Sequence, residues 1–251
     1  MFEAETGKEV GRLNQQGVVS TIEFSIDSQY VASGGADYSA LIFEAARGKE
    51  IARLDHEGWV RSAGFSPDGR YVATGSADNS ARIFAVSTGQ EIARLIHDGP
   101  VTSVQFSPDG RYLATASDDT SARIFEAATG KEITRLNHEG RIFDVQFSAD
   151  GRYIATGGED GRTRVFEAAT GKEIARLPHQ GSVWRVQFSP DERSLRSLVS
   201  TPGHLGVFSD PLVSEDLILE TCRRLTRNLT STEWKTYFPD APYHKTCREI
   251  P

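Results

Sequence analysis

Cysteine is nearly missing from this chain: there are two in 251 residues, Cys222 and Cys247, both in the last thirty. That excludes a disulfide-built scaffold and points to ordinary thiols in the cytoplasm. No run approaches the roughly eighteen apolar residues of a spanning helix, and no basic stretch leads into an apolar one at the N-terminus. Neither membrane contact nor a secretory signal is therefore expected, and the sequon at Asn228–Thr230 reads as a chance pattern. Positive charge is in short supply as well. A formal net charge of -7 and a pI near 5.4 argue against a protein that grips phosphate backbones, so no nucleic-acid partner is expected. No His-x-His or Cys-x-x-Cys spacing occurs, which leaves no metal and no cofactor to infer.

What the chain has in abundance is itself. FSPDGRYVATGSADNSARIF (65–84) and FSPDGRYLATASDDTSARIF (106–125) agree at sixteen of twenty positions, and 147–166 repeats the pattern again. A small turn places glycine at Gly7, Gly48, Gly89, Gly130 and Gly171, each 41 residues from the last. Each unit holds four short β-rich runs; in the third they are 101–106, 112–117, 122–125 and 132–136. Ser-Pro-Asp-Gly, Asp-Asp-Thr and Thr-Gly-Lys turns separate them, so neighbouring strands pair antiparallel as a meander. Four strands in about 40 residues make one propeller blade, which must stack on its neighbours to bury both faces.

The pattern resembles the WD-repeat (WD40) family. It has a His before the first strand (His56), FSPDG after it (Phe65 to Gly69), Gly75 to Ser80 between the second and third, and an aromatic closing the third (Phe84). The likeness spans residues 1–208 and departs from the family where Trp-Asp becomes Phe43-Glu44, Phe84-Ala85, Phe125-Glu126 and Phe166-Glu167. It implies an all-β propeller over 1–208; the count of strand runs makes it about five four-stranded blades, and 209–251 is expected to be an α-helical extension. Five outer-strand runs exist, the first at 8–13, and the last blade lacks its own. Residues 8–13 are expected to complete that blade and close the ring, which removes exposed sheet edges.

Each central unit also contains a His, a Thr and an Asp: His56, Thr74 and Asp78; His97, Thr115 and Asp119; His138, Thr156 and Asp160. This is the composition of an acyl-transfer triad. Three copies at equal spacing speak for a repeat-unit hydrogen-bond network instead, as the resemblance implies. The first unit has Gln15 for His, and the fifth has Pro202 near the expected Asp. Phe in place of the family's Trp donates no hydrogen bond, so the network is expected to be weaker.

The first-strand start positions, Val18, Trp59, Pro100, Arg141 and Ser182, include no acid, so no acid–base pair is expected at the channel mouth. Two positions there differ between units and collect aromatics and arginines. Trp59, Arg61, Arg141, Phe143, Trp184 and Arg185 are therefore the candidate partner-binding residues. Beyond Ser209, Ser214-Glu-Asp precedes a stripe at Leu217, Ile218, Cys222 and Leu225, and Thr230–Glu233 forms a capping box before Trp234. This stretch resembles the tail that follows WD repeats in bacterial proteins behind STAND-type signalling NTPases. The expected function is a non-catalytic interaction scaffold or ligand-sensing module for a protein or peptide. A bacterial signalling or defence system, with an NTPase or effector on another chain, is its more specific form. A propeller-fold hydrolase or lyase is the alternative.

Overall fold

A computed structural model describes residues 5–7, 9 and 14–212 of the chain. The described chain forms nineteen strands in five antiparallel sheets, and among the described residues there is no helix. The first sheet is β1 (Val19–Phe24), β2 (Tyr30–Gly35), β3 (Ser39–Glu44) and β4 (Lys49–Asp55). The second is β5 (Val60–Phe65), β6 (Tyr71–Ser76), β7 (Ser80–Ala85) and β8 (Glu91–Ile96). The third is β9 (Val101–Phe106), β10 (Tyr112–Ser117), β11 (Ser121–Glu126) and β12 (Glu132–Asn137). The fourth is β13 (Ile142–Phe147), β14 (Tyr153–Gly158), β15 (Arg162–Glu167) and β16 (Glu173–Pro178). The fifth has three strands, β17 (Ser182–Phe188), β18 (Ser194–Thr201) and β19 (His204–Pro211).

The turns are set by short side chains. Between β9 and β10 the Ser107 hydroxyl donates to Asp109 (2.6 Å), Asp109 accepts from the Arg111 amide (3.0 Å), and Ser107 Oγ accepts from the Tyr112 amide (2.9 Å). The same Ser–Asp pair recurs at Ser66 and Asp68, and at Ser148 and Asp150. Gly110 sits in that turn at φ 71°, a left-handed conformation that costs an L side chain about 1 kcal/mol.

The core lies between sheets, not within one. Alanines and an isoleucine of one blade face the inner strand of the next. Ala32, Ala40 and Ile42 meet Val60, Ala63, Val72 and Phe84; Ala73, Ala81 and Ile83 meet Val101, Val104, Leu113 and Phe125. The third and fourth junctions repeat this at Ile142 and Val145, and at Val183 and Val186. Glycine lets the blades approach: a Cβ on Gly75 would stand 2.8 Å from Val101 Cγ1.

The corresponding face of β1 is not covered. Val19, Ile22 and Phe24 are exposed, whereas their equivalents Val60 and Ala63, Val101 and Val104, and Ile142 and Val145 are buried. Among the described residues, then, the junction between fifth and first sheets lacks the packing of the other four. The closing strand expected at 8–13 lies outside the described residues apart from Glu9, and so does the helical extension beyond Leu212 with both cysteines.

Candidate interaction surface and structural network

Every inner strand is interrupted by a bulge at the same place. The pairing with the second strand slips between Val19 and Thr21, Val60 and Ser62, Val101 and Ser103, Ile142 and Asp144, and Val183 and Arg185. The residues that leave the ladder are Ser20, Arg61, Thr102, Phe143 and Trp184. A bulge re-aims the side chain it carries, here toward a channel of about 1440 Å³ walled by all five inner strands.

At the channel mouth Phe143 and Trp184 stack, with centroids 4.3 Å apart and planes 7° from parallel. The Arg141 guanidinium lies 5.9 Å from the Phe143 centroid and forks onto Glu159 at 3.1 and 2.9 Å. Arg61 reaches across to Asp118 of the third blade at 2.9 Å. These arginines are therefore oriented and partly neutralised. Their partners, Asp118 and Glu159, were not in the sequence-based set, because they come from the turns after β10 and β14. Trp184 and Trp59 are each about half exposed, at 48% and 53%. The channel wall includes Arg61, Arg141, Phe143, Trp184 and Arg185; Trp59 stands apart from it.

Acids do line the channel, one step deeper than the start positions. Asp144 is buried and accepts from the Ser103 hydroxyl (3.0 Å) and the Val186 amide (2.9 Å). Burial pushes its carboxyl above the usual range, against those hydrogen bonds and Arg185. Burial among the strands also raises Glu23, and Arg185 opposes it. Asp144 is engaged in wall bonds that hold β13 to its neighbours, the position of a structural group.

The three His–Thr–Asp sets converge inside their blades. His97 Nδ1 lies 2.9 Å from Asp119 Oδ2 and its Nε2 lies 2.7 Å from Thr115 Oγ1. His56 makes the same contacts to Asp78 and Thr74 at 2.9 and 2.7 Å. His138 lies 3.2 Å from Asp160 and 2.7 Å from Thr156. An arginine completes each set: Arg123 donates to Asp119 at 2.8 Å, Arg82 to Asp78 at 2.8 Å, and Arg164 to Asp160 at 2.9 Å. Sequence reasoning missed these arginines. They supply a charged donor where Phe supplies none, while Phe84 and Phe125 stand edge-on to the imidazoles. The network is richer than the Phe substitutions alone predicted.

Burial holds the three imidazoles below their usual range, against the neighbouring carboxylates that favour the cation. For Asp78 and Asp119 burial works upward, but hydrogen bonds from Ser80 and Ser121, the backbone and the imidazoles outweigh it, so both stay ionised. The threonines are fully buried in the sheet. In the first blade Gln15 bridges Asp37 (3.0 Å) and Ser33 (2.7 Å). In the fifth, His179 meets Thr163 of the preceding blade at 3.0 Å. Among the described residues no cluster of His, Cys, Asp and Glu could hold a metal ion, and no helix is long and apolar enough to cross a membrane.

A comparison with curated proteins finds no match. The family model described as WD domain, G-beta repeat, matches residues 7–44, 48–84, 89–126 and 130–167, together more than half of the chain. The last three matches each run from an outer strand (β4, β8, β12) to a third strand (β7, β11, β15), the phase of the 41-residue period. With blades, turn aspartates and buried His–Asp pairs in one frame, the chain belongs to the WD-repeat family.

Proposed function

We propose that the protein is a non-catalytic interaction module that binds a protein or peptide at the channel mouth. WD-repeat domains generally act as scaffolds for protein–protein contacts. The observation that carries the reading is the Phe143–Trp184 stack, with Trp184 about half exposed, flanked by Arg141, with Arg61 and Arg185 on the same wall. Stacked aromatics and ion-paired arginines are rigid before a partner arrives, so little ordering entropy opposes binding. Trp, Tyr and Arg are the residue types that dominate interface hot spots.

The more specific form is a ligand-sensing module of a bacterial signalling or defence system, working with an NTPase or effector on another chain. The resemblance of the tail supports it. The alternative of a propeller hydrolase or lyase draws on Glu23 and Asp144 in the channel, but Asp144 is held by Ser103 and Val186.

The test is a titration of the captured partner against Trp59→Ala, Arg61→Ala, Phe143→Ala and Trp184→Ala. At least two of these should weaken binding by about tenfold or more, with unchanged melting curves. Unchanged affinity in all four would refute the site.

A further inference from the structure

Below the aromatic rim the inner strands carry two rows of side chains on the channel wall. The upper row is Thr21, Ser62, Ser103, Asp144 and Arg185. The lower row is Glu23, Gly64, Gln105, Gln146 and Gln187, each 41 residues from the last. Along β17 the lower row lies three residues beyond Trp184, about 10 Å deeper at the rise of a strand.

The glutamines at 105 and 146 are held by one end. The Phe147 amide donates to Gln105 Oε1 (2.5 Å) and the Phe188 amide to Gln146 Oε1 (2.8 Å). A backbone N–H needs an acceptor, which fixes the oxygen of each side-chain amide and so also its nitrogen. Each NH2 group, with two donors, then has no hydrogen-bond partner among the described residues, and both side chains are partly exposed on the channel wall. Blade packing does not demand these glutamines. Gly64 stands in the same row with no side chain to offer, and Phe106 on the next inner strand is still buried. Gln187 caps no amide among the described residues.

Arg185 is the cation of this wall that no carboxylate holds. Arg61 pairs with Asp118 and Arg141 with Glu159, whereas Arg185 is in no ion pair among the described residues. Asp144, its neighbour on the upper row, is engaged with Ser103 and Val186. Three successive inner strands thus bring hydrogen-bond donors to one side of the channel: the amides of Gln105 and Gln146, then Gln187 and the Arg185 guanidinium.

Such a set calls for an anionic group rich in acceptors, and a guanidinium fork matches both oxygens of a carboxylate. A monoanion suits the site better than a dianion, because one unpaired cation serves it and the carboxyls of Glu23 and Asp144 stand in the same wall. Depth selects the carrier. A partner seated at the rim must send its carboxylate about 10 Å inward, which an extended chain end covers in about three residues. No Asp or Glu side chain is that long. The channel, at about 1440 Å³, also exceeds the range of small-molecule pockets.

We infer that the channel takes the C-terminal end of an extended peptide, which enters past the Phe143–Trp184 stack and places its carboxylate on Arg185 and the side-chain amides of Gln146 and Gln105. The inference rests on the reading of the chain as an interaction module and names the part of the partner that enters.

The full chain is panned against random peptides displayed with free C-termini, and the selected peptide is synthesised as the acid and as its C-terminal amide. The acid should bind about tenfold or more tighter, because the amide lacks the charge and one of the two acceptor oxygens. Gln146→Glu keeps an oxygen for the Phe188 amide but replaces the NH2 group by a like charge. With an unchanged melting curve, it should weaken the acid about tenfold or more and the amide by less than about threefold. Arg185→Gln should remove most of the difference between acid and amide. Failure to select any peptide overturns the inference. So does binding of acid and amide within about twofold of each other, or a preference for the acid that survives both substitutions. If Trp184→Ala weakens a peptide that ignores its C-terminus, the rim reading stands and the chain-end site falls. A preference for the acid that needs Arg185 and is indifferent to Trp184→Ala keeps the chain-end site and removes the stack from the interface.

Discussion

Replacing Asp119 by alanine tests the buried network where it is most complete. Its carboxylate accepts from His97, from the Ser121 amide (2.8 Å) and hydroxyl (2.6 Å), from the Asp98 amide (3.1 Å) and from Arg123 (2.8 Å). The Arg123 side chain is only 6% exposed, so the variant leaves a buried cation without its nearest counter-charge. Breaking such a pair costs about 3–5 kcal/mol. Glu132 at 3.5 Å and the exposed Asp98 at 3.0 Å remain, which puts the loss near the bottom of that range, about 3 kcal/mol. The first blade is the built-in control. Leu41 stands where Arg123 stands, Arg53 comes no closer than 3.9 Å to Asp37, and one Asp37 oxygen has no hydrogen-bond partner. Asp37→Ala should therefore cost only about 1 kcal/mol, the worth of its bond from Gln15. Urea titrations with equal slopes measure both. Adding Arg123→Leu closes a cycle in which Asp119→Ala should become cheap, with a coupling of about 2 kcal/mol. Equal losses at Asp37 and Asp119, or a coupling below about 0.5 kcal/mol, would show that the arginine is not what makes the aspartate matter.

Three further outcomes follow from the same geometry. Thr120 is β-branched at φ 70°, where the fourth blade has Gly161, so Thr120→Gly should stabilise by about 1 kcal/mol; a destabilised variant would contradict the strain. Gly157→Val forces a side chain into Val183 and should cost about 2–3 kcal/mol, readable as a lower melting temperature; no change would contradict the close packing of the fourth and fifth blades. His56, His97 and His138 have folded-state pKa values depressed below 6.5, so their stability is intact above that pH and is lost as pH falls through the folded values. A second loss follows below 3.8, as the low-pKa carboxyls of Asp78, Asp119 and Asp160 protonate; a melting temperature flat from pH 7 to 3 would refute both.

The blade was legible because its signals are local. The Ser–Asp turns and the alternating inner strands each lie within a few residues, the 41-residue period repeats them, and the His–Thr–Asp sets follow from the period. The arginines at 82, 123 and 164 were hidden because they read as ordinary strand residues; their role depends on a guanidinium reaching back four positions to the turn aspartate. The bulges were hidden too, since a run such as Val101-Thr102-Ser103-Val104 alternates plausibly in either register. Closure is not settled by the same local signals: the strand expected at 8–13 lies outside the described residues apart from Glu9.

The bulge also changes how variation at the rim should be weighed. A residue that leaves the ladder carries no side-chain requirement from its neighbours, so Ser20, Arg61, Thr102, Phe143 and Trp184 are all tolerated and their diversity alone says little. What the diversity is coupled to says more. The turn position after the second strand is Ala36, Ala77, Asp118 and Glu159 in successive units, and it turns acidic where Arg61 and Arg141 come within reach. The two large aromatics likewise occupy adjacent blades and find each other. Exposed ion pairs contribute only about 0.2–1 kcal/mol, so stability is a poor reason to keep this set. Arg61→Ala with Asp118→Ala, and Phe143→Thr with Trp184→Thr, should each shift stability by less than about 1 kcal/mol while abolishing partner binding at the mouth. A loss of several kcal/mol in either pair would make the rim a structural clamp and withdraw it from the interaction surface.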